Sequence, residues 1–243
     1  MRVAVLGMGR LGRSMALLLD EAGHEVLPWR RGEPLPPCEV AWLTVSDRAI
    51  GEVAQQLPPG PVVLHASGAT GLEPLQGHED HGSLHPLQSF PGPDVAMPPT
   101  HGVPAAIAGT PRALEVARSL CQDLGFEAFE VPGDRRLYHA SAVMAGNFAT
   151  TLLHLASQTL AEAGVDPEQA PRLLAPLALA SIRQASERGC AQSLTGPFAR
   201  GDRETVNGHI EGIAAWNPAI AELYRALGEQ TWALATLLDG EGE

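Results

Sequence analysis

Short apolar runs recur through the first part of the chain and predict the strands of a sheet. Most of these runs have two or more β-branched residues, and they are bounded by polar or turn-forming residues, the pattern of a buried strand. Runs of this kind lie at residues 2–6, 24–29, 40–45 and 61–67. Their length and spacing are those of an α/β protein.

Helical patterns separate these runs. The stretch GMGRLGRSMALLLDEAG spaces its leucines as on one face of a helix and ends at Gly23. Residues 46–57, SDRAIGEVAQQL, predict a second helix capped by Ser46 or Asp47. Since strands alternate with helices, we expect βαβ units around a mostly parallel sheet.

The middle of the chain is less regular. Residues 77–102 contain five prolines and four histidines, so they predict mostly loop with one short strand before His85. Beyond them, the runs GVPAAIAG (102–109) and FEAFEV (126–131) predict two further strands, joined by a helix from Pro111 to about Leu124.

The pattern changes after Pro132-Gly133. Residues 138–239 show no strand pattern, only alanine- and leucine-rich helical spacing, with one helix predicted from about Leu137 to Ala163. Two further starts are predicted at Asp166-Pro167 and Asn217-Pro218, each a cap followed by proline, and breaks or kinks at Pro171 and Pro176. We therefore predict an N-terminal α/β domain at 1–133 and an all-α domain at 134–243.

A glycine motif follows the first strand directly. Gly7, Gly9 and Gly12 form G-x-G-x-x-G at the start of a helix within a βαβ unit. In a dinucleotide-binding (Rossmann) domain the first glycine permits the turn, the second lets the backbone approach the pyrophosphate, and the third lets helix and strand pack closely. The motif is weak alone, but its position here predicts nucleotide binding.

Two arginines stand where many such domains carry an acid. Arg30 and Arg31 end the second strand, about twenty residues after the glycines. Arginine at this point pairs with a 2′-phosphate, which favours NADP over NAD; the alternative is a pair of solvated surface arginines. The predicted cofactor-binding residues are Gly7, Met8, Gly9, Arg10, Leu11, Gly12, Arg30, Arg31, Val45, Ser46, Ser67 and Gly68.

Composition narrows the class of function. The net charge of −12 disfavours a nucleic-acid or anionic-membrane partner. All sixteen basic residues are arginine, so the chain cannot use a lysine as Schiff base or general acid. Three widely spaced cysteines and the lack of an apolar targeting or spanning segment favour the cytoplasm.

Several segments resemble known dehydrogenases. The glycine motif and AWLTVSDRAIGEVAQQL resemble the superfamily of pyrroline-5-carboxylate reductases, prephenate dehydrogenases and β-hydroxyacid dehydrogenases. The segments HASGATGLEPL, GSLHPLQSF, LYHASAVMAGNFATTLL and SLTGPFARGDRETVNGHI are similar to an uncharacterised branch with a Rossmann-like domain and a helical domain of unknown function. The resemblance implies an NADP-binding fold and dimerisation through the C-terminal helices, whose broad apolar faces also favour a homodimer.

Candidate catalytic residues lie near the predicted domain boundary. They are His85, Tyr138, His139 and Asn147. His85 suits proton transfer, although a structural hydrogen bond explains it equally well. In β-hydroxyacid dehydrogenases a lysine stands four residues before the asparagine of this helix, but position 143 is valine here, which puts lysine-assisted alcohol oxidation in doubt. The spacing of His78, His81 and His85 lacks a helical register, so we predict no metal site.

A substrate carboxylate is predicted near the segment LTGPFARGD. The resemblance places a carboxylate-binding turn there, and the helix after it would be capped by Asp202. The predicted substrate-binding residues are Thr195, Gly196, Arg200 and His209. The main hypothesis is an NADP-dependent oxidoreductase acting on a small carboxylated imine, keto acid or hydroxy acid; the alternative is a sensor that binds NADP(H) without turnover.

Overall fold

The chain divides into two compact units. The computed structural model describes residues 1–30, 32–91 and 95–237. Its first unit is Met1–Gly146, and the second begins at Asn147. The change from strands to helices comes earlier, at Asp134, so the first unit keeps the first helix that follows the sheet. The boundary between residues 133 and 134 stays a sequence-based prediction.

The first unit is built on one seven-stranded sheet in the order β2-β1-β3-β4-β5-β6-β7. Strands β1 to β5 are parallel, β6 runs antiparallel to β5, and β7 is parallel to β6. The strands are β1 Arg2–Leu6, β2 Glu25–Trp29, β3 Val40–Leu43, β4 Val62–His65, β5 His81–Pro86, β6 Val103–Gly109 and β7 Phe126–Glu130. The predicted α/β class with a mostly parallel sheet is confirmed.

Both faces of the sheet are covered. On one face, side chains such as Val5 and Trp42 pack with Met15 and Leu120 from the flanking helices. On the other, Leu6, Leu43 and Val63 pack with Ile50, Val53 and Leu75. Because alternate side chains of a strand are buried on opposite faces, the central strands read as continuous apolar runs.

Three α-helices of the described ranges flank the sheet: α1 Arg10–Glu21, α2 Ile50–Ala54 and α3 Pro111–Asp123. The helix predicted over 46–57 is shorter, since a 3-10 turn at Asp47–Ala49 precedes α2. Ser46 lies before that turn, but its side chain makes no capping hydrogen bond. Thr110 does cap α3, because its side chain accepts a hydrogen bond from the amide of Ala113.

One long helical stretch runs from α4, Arg135–Val143, through a π-helical turn at Met144–Phe148 into α5, Ala149–Glu162. The helix predicted over 137–163 thus begins at Arg135, two residues before the predicted start. Asp134 caps it, since its side chain accepts a hydrogen bond from the amide of Arg136 at 2.8 Å. In the second unit α5 is followed by α6 Ala170–Arg188, α7 Gly196–Ala199, α8 Arg203–Trp216 and α9 Pro218–Thr236. Within residues 147–237 every assigned element is helical, as predicted.

The prolines of the second unit give mixed outcomes. The start at Asn217-Pro218 is confirmed, since the Asn217 side chain accepts from the amides of Ala219 and Ile220. The helix start predicted at Asp166-Pro167 is wrong, because α6 begins at Ala170. Pro171 lies in the first turn of α6, where a missing N–H is tolerated. Pro171 therefore breaks no helix, and α6 continues through Pro176.

No helix in the described ranges is long and apolar enough to cross a membrane.

Candidate functional site

The glycine turn after β1 is held tightly against the end of β3. Gly7 has a φ of +113°, a conformation that favours glycine. A Cβ atom at Gly12 would lie 1.8 Å from the carbonyl oxygen of Gly7 and 2.6 Å from Oγ1 of Thr44. That hydroxyl donates to the Gly7 carbonyl at 2.6 Å. Gly12 is therefore required for close packing of α1 on the sheet.

Gly9 has the opposite surroundings. A Cβ atom built there meets nothing within 4 Å. The second glycine of the motif thus leaves open space above the turn, at the N-terminus of α1. This is the arrangement that lets a pyrophosphate approach the backbone amides.

A cleft of about 560 Å³ lies beside this turn. It is bordered by the ends of the parallel strands β1, β2 and β3, at the point between β1 and β3 where the strand order reverses, the usual ligand site of such sheets. Its lining residues are Gly7, Met8, Arg13, Pro28, Trp29, Arg30, Val45 and Val53. Four predicted cofactor-binding residues, Gly7, Met8, Arg30 and Val45, are therefore in one cleft.

Two arginines border the cleft. Arg30 is exposed directly after Trp29, whose indole nitrogen donates to the Glu33 carbonyl at 2.8 Å. Arg13, which sequence reasoning missed, donates from Nε to the Met8 carbonyl at 2.9 Å. Arg31 lies outside the described residues. The pairing of Arg13 with the glycine turn follows from its place one residue after the third glycine.

The remaining predicted cofactor residues lie near the same edge of the sheet. Arg10 and Leu11 are in the first turn of α1, and Ser46 follows β3. Ser67 and Gly68 follow β4, where both are buried. Parallel strands bring these ends together at one edge of the sheet.

The loop after β4 is braced by the buried His65. The Ser67 amide donates to Nδ1 of His65 at 3.2 Å, so Nε2 carries the proton and donates to the Gly71 carbonyl at 3.0 Å. Burial lowers the pKa of His65 to about 4. The Ser67 hydroxyl in turn accepts from the Thr70 amide at 2.9 Å, which completes a rigid loop.

His85 and Tyr138 meet against this loop. Nδ1 of His85 lies 2.7 Å from Oη of Tyr138, and the two rings are perpendicular with centroids 5.6 Å apart. The His139 ring is 6.4 Å from that of His85. A Cβ atom at Gly68 would lie within 3.0 Å of both histidine rings. The structure therefore brings together three of the four predicted catalytic residues.

The charge state of this pair is set by its surroundings. The pKa of His85 is lowered to about 4, chiefly by burial and further by His139 and Arg135. Burial raises the pKa of Tyr138, against the opposing effect of the Arg135 guanidinium. At neutral pH both groups are therefore neutral, so Oη of Tyr138 can give up a proton and the unprotonated ring nitrogen of His85 can accept one.

The other histidines of this segment have separate partners. Nε2 of His78 lies 2.9 Å from the Ala54 carbonyl, and Nδ1 of His81 lies 2.8 Å from the His78 carbonyl. Within the described ranges, no group of three His, Cys, Asp or Glu side chains could hold a metal ion. His78, His81 and His85 therefore each form a hydrogen bond with a different residue.

The predicted substrate residues belong to the second unit. Thr195 precedes α7 without a capping hydrogen bond, Gly196 opens that helix with φ of +74°, and Arg200 is exposed at its end. His209 on α8 is exposed and lies 2.9 Å, through Nδ1, from Oη of Tyr224. Asp202 caps α8 as predicted, since it accepts from the Thr205 amide at 3.1 Å.

Asn147, the fourth predicted catalytic residue, begins the second unit within the π-helical turn. Its side chain is exposed, and its carbonyl accepts from the Thr151 hydroxyl at 3.0 Å. Its role and those of the four substrate candidates stay predictions.

Comparisons with curated proteins give relatives of one kind. A glycerol-3-phosphate dehydrogenase [NAD(P)+] from Synechococcus sp. (strain JA-3-3Ab) is 31% identical over 155 residues, 58% of this chain and 48% of the relative. The chain thus spans about half the length of the curated relatives it matches.

Solved structures share the fold over nearly the whole chain. A Bacteroides fragilis protein, provisionally described as an NADP oxidoreductase, is 19% identical with a TM-score of 0.78, covering 96% of this chain and 98% of that one. The 1-pyrroline-5-carboxylate reductase of Streptococcus pyogenes is 13% identical with a TM-score of 0.65, covering 96% and 98%. These likenesses establish a Rossmann-like domain followed by a helical domain.

One family model matches residues 103–231, more than half of the chain. That stretch takes in β6, β7, the His85 partner Tyr138 and most of the helical unit. The chain therefore belongs to the family described as Domain of unknown function (DUF2520).

Proposed function

We propose that this protein is an NADP-dependent oxidoreductase that transfers a hydride to or from a small carboxylated imine, keto acid or hydroxy acid. The observation that carries the proposal is the His85–Tyr138 hydrogen bond of 2.7 Å, at the same sheet edge as the glycine turn. We also propose that the protein is cytoplasmic, because its three cysteines form no disulfide. The curated relatives, named as NAD(P)-dependent dehydrogenases, support the reaction class.

The residues around the glycine turn fit a dinucleotide. Gly9 leaves room for a pyrophosphate at the start of α1, and the cleft beyond it holds two guanidinium groups, Arg13 and Arg30. A 2′-phosphate is the feature of NADP that such a pair would bind. When bound, NADP(H) supplies or accepts the hydride.

The protein's own contribution is proton transfer and orientation. Reducing a C=N or C=O bond requires one proton at the nitrogen or oxygen besides the hydride. Neutral Tyr138 holds a proton on Oη that it can donate in the reduction, and neutral His85 can accept a proton in the reverse, oxidative direction. A side chain at position 68 would clash with the rings of His85 and His139. The braced loop at 65–71 therefore fixes the pair in position for general acid-base catalysis.

Replacing Arg30 by alanine is expected to weaken NADP binding by about 1.5–3 kcal/mol, because a charge-assisted contact with the 2′-phosphate is lost. NAD binding should barely change. Titration calorimetry of both cofactors measures this difference. Arg112→Ala is the control, since Arg112 is an exposed arginine on α3 outside the cleft. A wild-type protein that prefers NAD would contradict the assignment.

The activity itself is tested by NADPH oxidation over a panel of small imines and keto acids, with and without carboxylates. Turnover confined to carboxylated compounds supports the proposal. NADPH binding with no turnover on any compound would favour the sensor alternative instead.

A homodimer is proposed from the second unit. An apolar groove of about 430 Å³ lies on its helices, lined by residues of α5, α6, α8 and α9 such as Leu155, Leu174, Ile213 and Leu227. On α6, Leu177 and Leu179 are 66% and 69% exposed. Exposed apolar surface of this kind favours a partner, here a second copy of the chain. Light scattering at micromolar concentration is expected to give the dimer mass, and a monomer would reject the proposal.

A further inference from the structure

Arg135 has an unusual environment for the first residue of a helix. Its Nη2 atom donates to the Ser67 carbonyl at 2.8 Å, on the loop that follows β4. Its Nε and Nη1 atoms are buried from solvent, and neither has a hydrogen-bond acceptor among the described residues. A guanidinium with buried donors that lack acceptors is costly, so such donors normally have a partner.

The charge of Arg135 is also uncompensated. No acidic side chain of the described ranges forms an ion pair with it. Its neighbours include His85 and Tyr138, neither of which carries a negative charge at neutral pH. The acids that act on this region from a distance are Asp47 and Glu73. An anion beside these atoms would supply the missing acceptors and compensate the charge of Arg135.

The next residue shows that this is not a general property of the helix start. Arg136 is 85% exposed and forms an ion pair with the capping residue Asp134 at 2.6 Å. Arg135, by contrast, lies on the face of α4 that carries Tyr138, three residues on, with its guanidinium carbon 6.0 Å from the Tyr138 ring centroid. Two adjacent arginines thus have different tasks.

We infer that Arg135, rather than the turn predicted within LTGPFARGD, binds the carboxylate of the substrate beside the His85–Tyr138 pair. The inference rests on the proposed function and makes its substrate class narrower. With Arg135 adjacent to Tyr138, a carboxylate on Arg135 brings the carbon next to it towards the proton-transfer pair. Substrates of this geometry are 2-imino, 2-oxo or 2-hydroxy acids, in which a single bond joins the carboxylate to the reacting carbon.

The test is a calorimetric titration of the protein loaded with oxidised NADP, so that keto acids and imines bind without being reduced. The probes are pyruvate and 1-pyrroline-2-carboxylate, each matched with its carboxylate-free counterpart, acetone and 1-pyrroline. Levulinate, whose carboxylate is separated from the ketone by two further carbons, tests the position of the anion.

Three variants separate binding from folding. Arg135→Ala removes the guanidinium, and Arg135→Gln removes the charge but retains an N–H donor for the Ser67 carbonyl. Arg136→Ala is the matched control at the adjacent, exposed arginine. Thermal melting and NADP affinity are measured for every variant before the probes are added.

Wild type is expected to bind a carboxylated probe more tightly than its counterpart and more tightly than levulinate. Both Arg135 variants should lose about 10- to 100-fold in that affinity, while Arg136→Ala should retain it. Equal affinity in wild type and Arg135→Gln would overturn the inference, as would a wild type that binds no carboxylated probe up to its solubility. A wild type that fails to bind NADP would instead reject the proposed function.

Discussion

Replacing His85 by alanine is expected to lower kcat by about 10²–10⁴-fold, the range usual for loss of a general acid-base group. The physical reason is the hydrogen bond of 2.7 Å between Nδ1 of His85 and Oη of Tyr138, through which the imidazole acts as base toward the phenol. Steady-state kinetics with a substrate found in the panel measure the change. NADP affinity should remain, because His85 does not line the cleft at the glycine turn.

Tyr138→Phe gives the complementary result. It removes the hydroxyl from the pair while leaving the ring that packs edge-on against Phe129. If the pair acts as a unit, the double variant should lose little more than either single variant. His101→Ala is the control, since His101 is an exposed loop histidine outside this cluster. Full activity in both single variants would remove the pair from the mechanism.

The pH profile follows from burial of the imidazole. An exposed histidine would titrate near pH 6.5. Because the pKa of His85 is lowered to about 4, its neutral form persists through the range from pH 5 to 8. The rate of the oxidative direction, in which neutral His85 accepts a proton, should therefore show no histidine titration near pH 6.5 and should fall as His85 becomes protonated towards pH 4. A limb centred near pH 6.5 would assign the proton to another group.

The sheet could be predicted because its central strands are buried on both faces. Residues of β1, β3 and β4 alternate between two apolar cores, so their sequences are continuous apolar runs that leave little ambiguity. Strand β5 was less evident, since its buried positions include Gly82 and Ser83, which carry no apolar signal. Nothing in the runs themselves indicates that β6 reverses direction.

The candidate site was predicted only in part. His85 and Tyr138 are 53 residues apart in the sequence. The sequence at the start of a helix does not indicate which residue of the preceding sheet that helix contacts. Arg135 and Arg136 look alike in the sequence. Only helical spacing distinguishes them, because Arg135 and Tyr138 stand three residues apart on one face. Two nitrogen atoms of Arg135 are buried, and its Nη2 contacts Ser67 in the loop that follows β4. No local sequence pattern predicts this contact.

The second and third glycines of the motif, Gly9 and Gly12, are expected to have different effects when replaced by alanine. At Gly12 the new Cβ atom would lie 1.8 Å from a backbone carbonyl oxygen, so α1 must move away from the sheet. We expect Gly12→Ala to lower the free energy of unfolding by more than about 3 kcal/mol, beyond ordinary overpacking of side chains. Urea denaturation followed by circular dichroism measures this loss.

At Gly9 the new Cβ atom meets no protein atom within 4 Å, so Gly9→Ala should lower the free energy of unfolding by at most about 1 kcal/mol, the scale of a weakened N-cap. The methyl group instead occupies the space through which a pyrophosphate reaches the α1 amides, and NADP affinity should fall by about tenfold or more. Gly77→Ala, also in open space, is the control and should change neither quantity. If Gly9→Ala bound NADP as tightly as wild type does, the open space above the turn would have no part in binding the dinucleotide.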